Sequence, residues 1–376
     1  MTRILIGRSI SLFTQNRFLS EPFLIFSSIK PGISCLIANL VLLVNCSIAI
    51  ADSNQISPIS AEDLAVIVNI QDPQSRAVAE YYTEKRKIPA ENVIHVNFYA
   101  DKTNMDIQTF SQIKAVIDNS TLDRIKAYAI TWTEPYRVDC LSMTSAITFG
   151  FDTRYCALGC QATKVSPFYR DANWQESKAS MLRSAKQLRP AMVLAGRDID
   201  EVRELIDRGV QADHSFPEGR GYFLTTSDKK RSVRRIQFNT AQQMKVPNIA
   251  LHHVKSNFLL AKFDLMFYFT GKKSVSYLGA NRFLPGAIAD HLTSAGGNLT
   301  DSYQMSILRW LEAGATASYG TVVEPCNFLE KFPDVRILLK YYSQGSSLIE
   351  AYWRSVMMPG QGIFVGEPLA APFANR

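Results

Sequence analysis

Nine short apolar runs, each the length of a strand, punctuate the chain between residues 64 and 323. The first, Leu64–Ile70 (LAVIVNI), is continuous and β-branched, which predicts a strand buried on both faces. Val93–Phe98, Ile125–Thr131, Arg189–Ala195, Gly221–Thr226, Asn248–Val254, Phe263–Phe269, Gly286–Leu292 and Ala315–Val323 follow. Helical spacing fills the gaps between them. Asp72-Pro73 opens a helix over Gln74–Arg86, and Phe110, Ile113 and Ile117 share one face of a helix over Gln108–Asp118. Asp198 with Glu201 marks a helix start. Further helices are predicted over Tyr303–Glu312, Val335–Tyr342 and Leu348–Val356. Strands alternating with helices predict a three-layer α/β domain, with a mainly parallel sheet and helices on both faces. Leu64–Ile70, Val93–Phe98, Ile125–Thr131, Phe263–Phe269 and Ala315–Val323 are expected to run parallel, with Gly286–Leu292 beside the last two. Gly362–Phe373 (GIFVGEPLAAPF) reads as a closing tail.

Two segments break the rhythm. Ser142–Tyr169, edged by Cys140, Cys156 and Cys160, reads as a loop insertion of about residues 140–170 above the sheet. At the other extreme, Ile33–Ala51 carries no charge and follows a basic stretch with Arg3, Arg8, Arg17 and Lys30. With Ala49-Ile50-Ala51 before Asp52, residues 1–51 predict a Sec-type signal peptide and a periplasmic or extracellular protein. An uncleaved anchor is the competing reading. Residues 52–62 form a polar linker and 63–376 a single domain. The four basic residues and one acidic residue before Asp52 account for part of the formal net charge of +7, which falls to +4 without them. The basic balance is therefore no argument for nucleic acid.

Four cysteines lie beyond Ala51: Cys140, Cys156, Cys160 and Cys326. An even count in an exported chain predicts disulfides. A four-thiolate zinc site is the alternative, but paired C-x2-C knuckles are missing, and no metal or cofactor is expected. If the third strand and Ala315–Val323 are parallel, Cys140 and Cys326 follow strand ends at the same sheet edge. The expected bridges are then Cys140–Cys326 and Cys156–Cys160.

Candidate chemistry collects where apolar runs end: Asp290 and His291 after one, Glu324 and Cys326 after another. His291, Cys326 and Glu324 are the candidates for a triad-like constellation. Asp139, Asp152 and Glu367 could join Asp290 and Glu324 in an acidic cleft. Trp132, Tyr136, Trp174, Trp310 and Trp353 could line a groove, although aromatics are more often core. Neither a phosphate-binding G-x-x-x-x-G-K-[ST] loop nor H-E-x-x-H occurs. Adjacent His252 and His253 point to opposite faces of a strand and cannot share an ion. Ser227–Arg235 (SDKKRSVRR) is the most basic stretch. It is either a solvated helix face or, through Lys229–Arg235, a site for an anionic envelope polymer.

The Asp-Pro helix start, KRKIPAENVIHV, the Gly-Arg-Asp element, PGAIADH, GATASYGTVVEP and the GEP ending resemble an uncharacterised family of exported bacterial proteins, from about Leu64 to Phe373. More remotely, the order is similar to gingipain-type cysteine peptidases of caspase-like fold. In those, one strand ends in Gly-His-Gly and the next in the nucleophilic cysteine, and Gly-Asp-Pro closes the domain. Here Phe269-Thr270-Gly271 stands at the first position, Asp290-His291-Leu292 at the second and Gly366-Glu367-Pro368 at the third. The resemblance implies a caspase-like frame whose His-Cys dyad is missing, serving as a binding or envelope-associated protein. A hydrolase using His291 and Cys326 is the alternative. A thiol peptidase needs a thiolate and a base in hydrogen-bond reach, and Thr270 cannot serve as that base.

Overall fold

The computed structural model describes residues 56–157, 159–169, 188–300 and 302–375. The signal-peptide reading and Trp174 lie outside the described residues. Residues 52–376 form one compact unit. Its strands are β1 (Leu64–Asn69), β2 (Val93–Val96), β3 (Asn104–Met105), β4 (Ala127–Ile130), β5 (Arg137–Val138), β6 (Leu141–Ser142), β7 (Ala191–Val193), β8 (Gly219–Thr225), β9 (Ile249–Lys255), β10 (Leu265–Thr270), β11 (Phe283–His291), β12 (Ala317–Thr321) and β13 (Gly362–Gly366). Ten of them make one sheet in the order β2-β1-β4-β7-β13-β12-β11-β10-β8-β9, and β3, β5 and β6 make a small second sheet.

Side-chain alternation divides the core in two. Leu64, Val66 and Val68 of β1 join one apolar cluster, and Ala65 and Ile67 join the other. The first cluster takes in Val78 and Tyr82 from helix Pro73–Arg86, Val202 and Ile206 from Ile199–Ala212, and Leu338, Leu339, Ile349 and Tyr352 from the two late helices. The second takes in Phe110, Ile113 and Ile117 of helix Ile107–Ser120, and Ile147, Leu308 and Leu311. A sheet between two helical layers is the architecture expected from the alternation of elements.

The strand directions follow expectation. β1, β2, β4 and β7 run parallel to one another, as do β8 to β12. The ends of β4, β7 and β11 open at one edge, where Leu299 and Thr300 after β11 meet Thr133 after β4 and Gly196 after β7. β13 is antiparallel to β12, with Ala317 opposite Gly366 and Thr321 opposite Gly362. This strand, Gly362–Gly366, is the supposed tail, and it is fully buried in the middle of the sheet. Glycine is required there: a Cβ on Gly362 would sit 1.7 Å from Tyr319 Oη.

Three further elements depart from the sequence reading. The expected excursion over residues 142–169 begins as a buried helix, Met143–Phe149, whose N-cap Ser142 also bonds Gly362 O at 2.6 Å. The second half of the linker is packed: Ile59 is buried and its N–H donates to Glu350 Oε2. The Tyr303–Glu312 helix shrinks to Leu308–Glu312, because Gln304 and Ser306 side chains bond nearby backbone instead.

Candidate functional site

Cys140 is bonded to Cys156 and Cys160 to Cys326, with Cα separations of 5.4 and 5.2 Å. This corrects the expected pairs Cys140–Cys326 and Cys156–Cys160, and it uses all four thiols that a zinc site would need. The expected shared edge is present, but Cys156 and Cys160 of the intervening loop lie there as well, and each takes one of the two strand-end cysteines.

The strand-end positions themselves lie side by side. β10 and β11 are parallel neighbours, and Thr270 is the register partner of His291. What fills this place is an ion pair. Arg234 donates through Nη2 to Asp290 Oδ1 and to Thr270 O, and both charged side chains are buried. Among the described residues, Asp290 Oδ2, Thr270 Oγ1, and Nε and Nη1 of Arg234 have no hydrogen-bond partner. Arg234 comes from the most basic stretch, so that stretch is not one solvated face. Arg231 is also engaged, with Asp228 and Thr293, while Lys229, Lys230 and Arg235 are exposed.

His291 is buried and both ring nitrogens are occupied. Trp310 Nε1–H donates to Nδ1 at 2.9 Å, so Nε2 carries the proton and donates to Met305 O at 3.1 Å. Burial, reinforced by the Arg234 and Arg231 charges, pushes its pKa from 6.5 down to about 4. The ring is neutral and holds a loop in place. Cys326 Sγ goes to Cys160, and Glu324 accepts from the Cys326 N–H at 2.8 Å. The three candidates of the triad-like arrangement thus lie after neighbouring strands, yet each is bonded elsewhere.

This neutral imidazole has a pH consequence. Between pH 6.5 and about 4 the unfolded chain binds a proton that the native ring refuses. The stability contribution is complete above pH 6.5 and is lost as pH falls toward 4, on the order of 3 kcal/mol in all. Asp290, raised by burial against the pull of Arg234, acts in the opposite sense. Urea unfolding of wild type and His291→Phe across this window isolates the imidazole, since Asp290 is common to both. The wild type should lose more stability on acidification, and parallel curves would contradict the assignment.

The carboxylates do not form an acidic cleft. Asp152 pairs with Arg154 and Lys164, and Asp290 with Arg234. Glu367 follows β13 at the opposite edge and pairs with Arg86. Trp132, Trp310 and Trp353 are core residues, each at most 1% exposed, and Tyr136 is buried. His252 stacks on Tyr222, while His253 bonds Thr225 and Asn239.

A concavity of about 390 Å³ lies beyond the carboxyl ends of β1, β4 and β7. After β1 the chain turns to β2 on one side, and from β2 it crosses to β4 on the other. Helices Pro73–Arg86 and Ile107–Ser120 consequently pack on opposite faces. This is a topological switch point, where open α/β sheets leave a crevice. Its walls carry Asp72, Thr133, Glu134, Arg197, Arg309 and Glu312 beside Leu299 and Leu308. Asp72 caps the helix by accepting from Gln74 N. Thr133 Oγ1 and Gln74 Nε2 both reach Gly196 O, and Arg197 pairs with Glu201 and Glu312. Sequence reasoning passed over Glu134, Arg197 and Glu312, since strand order is what gathers them. The Asp-Pro and Gly-Arg-Asp motifs were the available signal.

No family model and no curated protein matches the chain. Among solved structures it is similar to one described as "Structure of Protease", at 11% identity and a TM-score of 0.41, covering 84% of this chain and 79% of that one.

Proposed function

We propose that this is an exported binding protein on a caspase-like frame without a working His-Cys dyad, and that its ligand occupies the switch-point cleft. One observation carries the reading: at the register-paired ends of β10 and β11 stands the buried Arg234–Asp290 pair. The thiol nominated from sequence is spent in the Cys160–Cys326 bridge. A disulfide sulfur is no nucleophile, and His291, doubly bonded and neutral, has no free nitrogen to act as base. The cleft offers carboxylates and guanidinium groups together, with Leu299 and Leu308 beside them. That chemistry suits a small ligand bearing both charge signs, such as an amino acid or short peptide.

Thermal unfolding against a panel of free amino acids, dipeptides and dicarboxylates tests this. A zwitterionic compound should raise the midpoint, by about 2.7 kcal/mol of stabilisation at a hundredfold excess over Kd. The double variant Glu134→Gln/Arg197→Ala should lose the shift. A shift that survives those changes, or turnover of any peptide in the panel, would contradict the reading.

A further inference from the structure

We propose that the ledge built from residues 256–263 and 277–282 docks the protein on the surface of an anionic lipid bilayer. The inference is independent of the cleft. Four large apolar side chains project from this one place: Phe258 is 40% exposed, Leu260 53%, Phe263 63% and Tyr277 55%. The Phe258 and Tyr277 rings lie 4.8 Å apart.

The ledge is rigid. Buried Asn281 donates to Leu259 O and Tyr277 O and accepts from Lys262 N. Arg282 N donates to Lys262 O at 2.8 Å, and Leu259 N donates to Tyr268 Oη at 3.1 Å. Ala261 and Tyr277 are held at φ 53° and 62°, a left-handed conformation that non-glycine residues adopt at a cost. A frame that fixes two such residues presents Leu260 and Tyr277 outward rather than letting them collapse onto the core.

Charge selects the partner. Within and beside the ledge lie Lys255, Lys262 and Arg282 against one acid, Asp264, and that acid is paired with Arg220. Lys262 lies over the Tyr222 ring and Arg282 over Phe263, so the cations rim the apolar tips. Apolar tips ringed by cations suit the boundary between acyl chains and anionic headgroups. A second copy of the chain would bring like charges together. A glycan would leave Leu260 and Phe263, which have no polar tip, without hydrogen bonds. Among the described residues no helix is long and apolar enough to cross a membrane.

Co-sedimentation of the full protein with phosphatidylglycerol-containing and pure phosphatidylcholine vesicles, at low and high salt, is the test. Binding should favour the anionic vesicles and weaken with salt. Leu260→Ser/Phe263→Ser should reduce partitioning by about tenfold or more, and Lys262→Glu/Arg282→Glu should remove the preference for anionic lipid. All four positions are surface ones, and an unchanged unfolding midpoint confirms that each variant folds. As a second readout, Phe263→Trp emission should shift to the blue on anionic vesicles alone. Absent binding, equal binding to both vesicles, binding indifferent to these changes, or a dimer dissolved by Phe263→Ser would each overturn the proposal.

Discussion

Replacing Cys160 with serine should destabilise the protein by about 5 kcal/mol, the largest single effect expected here. The bridge to Cys326 spans 166 residues of sequence and fastens the loop before β7 to the segment after β12. In the chain-entropy model the cost of closing a loop grows with its length, so this bridge restrains the unfolded chain more than Cys140–Cys156, which spans 16. The shorter bridge should contribute about 3 kcal/mol. Chemical unfolding of Cys160→Ser and of Cys156→Ser, each paired with serine at its partner position to avoid a stray thiol, gives both numbers. Equal losses would contradict the ranking.

The second large effect lies in the GEP motif. Glu367 is fully buried, and Arg86 reaches it with Nε at 3.0 Å and with Nη2. Tyr82 Oη donates to the same carboxylate at 2.8 Å, and Arg86 also pairs with Asp213, whose Oδ1 accepts from Ala371 N. Gly209 leaves the space: a Cβ there would lie 2.3 Å from Glu367 Cγ. The cluster ties helices Pro73–Arg86 and Ile199–Ala212 to the end of β13. Arg86→Met strands the Glu367 charge and should cost about 3–5 kcal/mol, whereas Arg86→Met/Glu367→Met should recover most of it. Additive losses in the unfolding midpoints would show that the two residues do not act as a pair.

These two clusters mark the limit of what the sequence discloses. Continuous β-branched or aromatic runs such as LAVIVNI and FDLMFYF announce buried strands, because both faces of the sheet are covered. Asp72-Pro73 and Asp198-x-x-Glu201 announce helix starts, because the cap bonds are local. Strand direction is not local. Five residues, Gly362–Gly366, enter the middle of the sheet antiparallel to β12, and they look like any apolar pentapeptide. The separation of Glu367 from Asp290 follows from that strand's direction, and the disulfide pairing from the path of the loop that carries Cys156 and Cys160. Arg234 is a second lesson: within SDKKRSVRR nothing distinguishes the one guanidinium that is buried from its exposed neighbours, since its partner Asp290 is 56 residues away.

The central claim is that the residues that look catalytic are structural. Native, unreduced protein treated with iodoacetamide below pH 7 and then mapped without reduction tests it directly. The account predicts two linked peptide pairs, Cys140 with Cys156 and Cys160 with Cys326, and no adduct on any of the four. A rapid adduct at Cys326 that slows when His291 is replaced by alanine would contradict it.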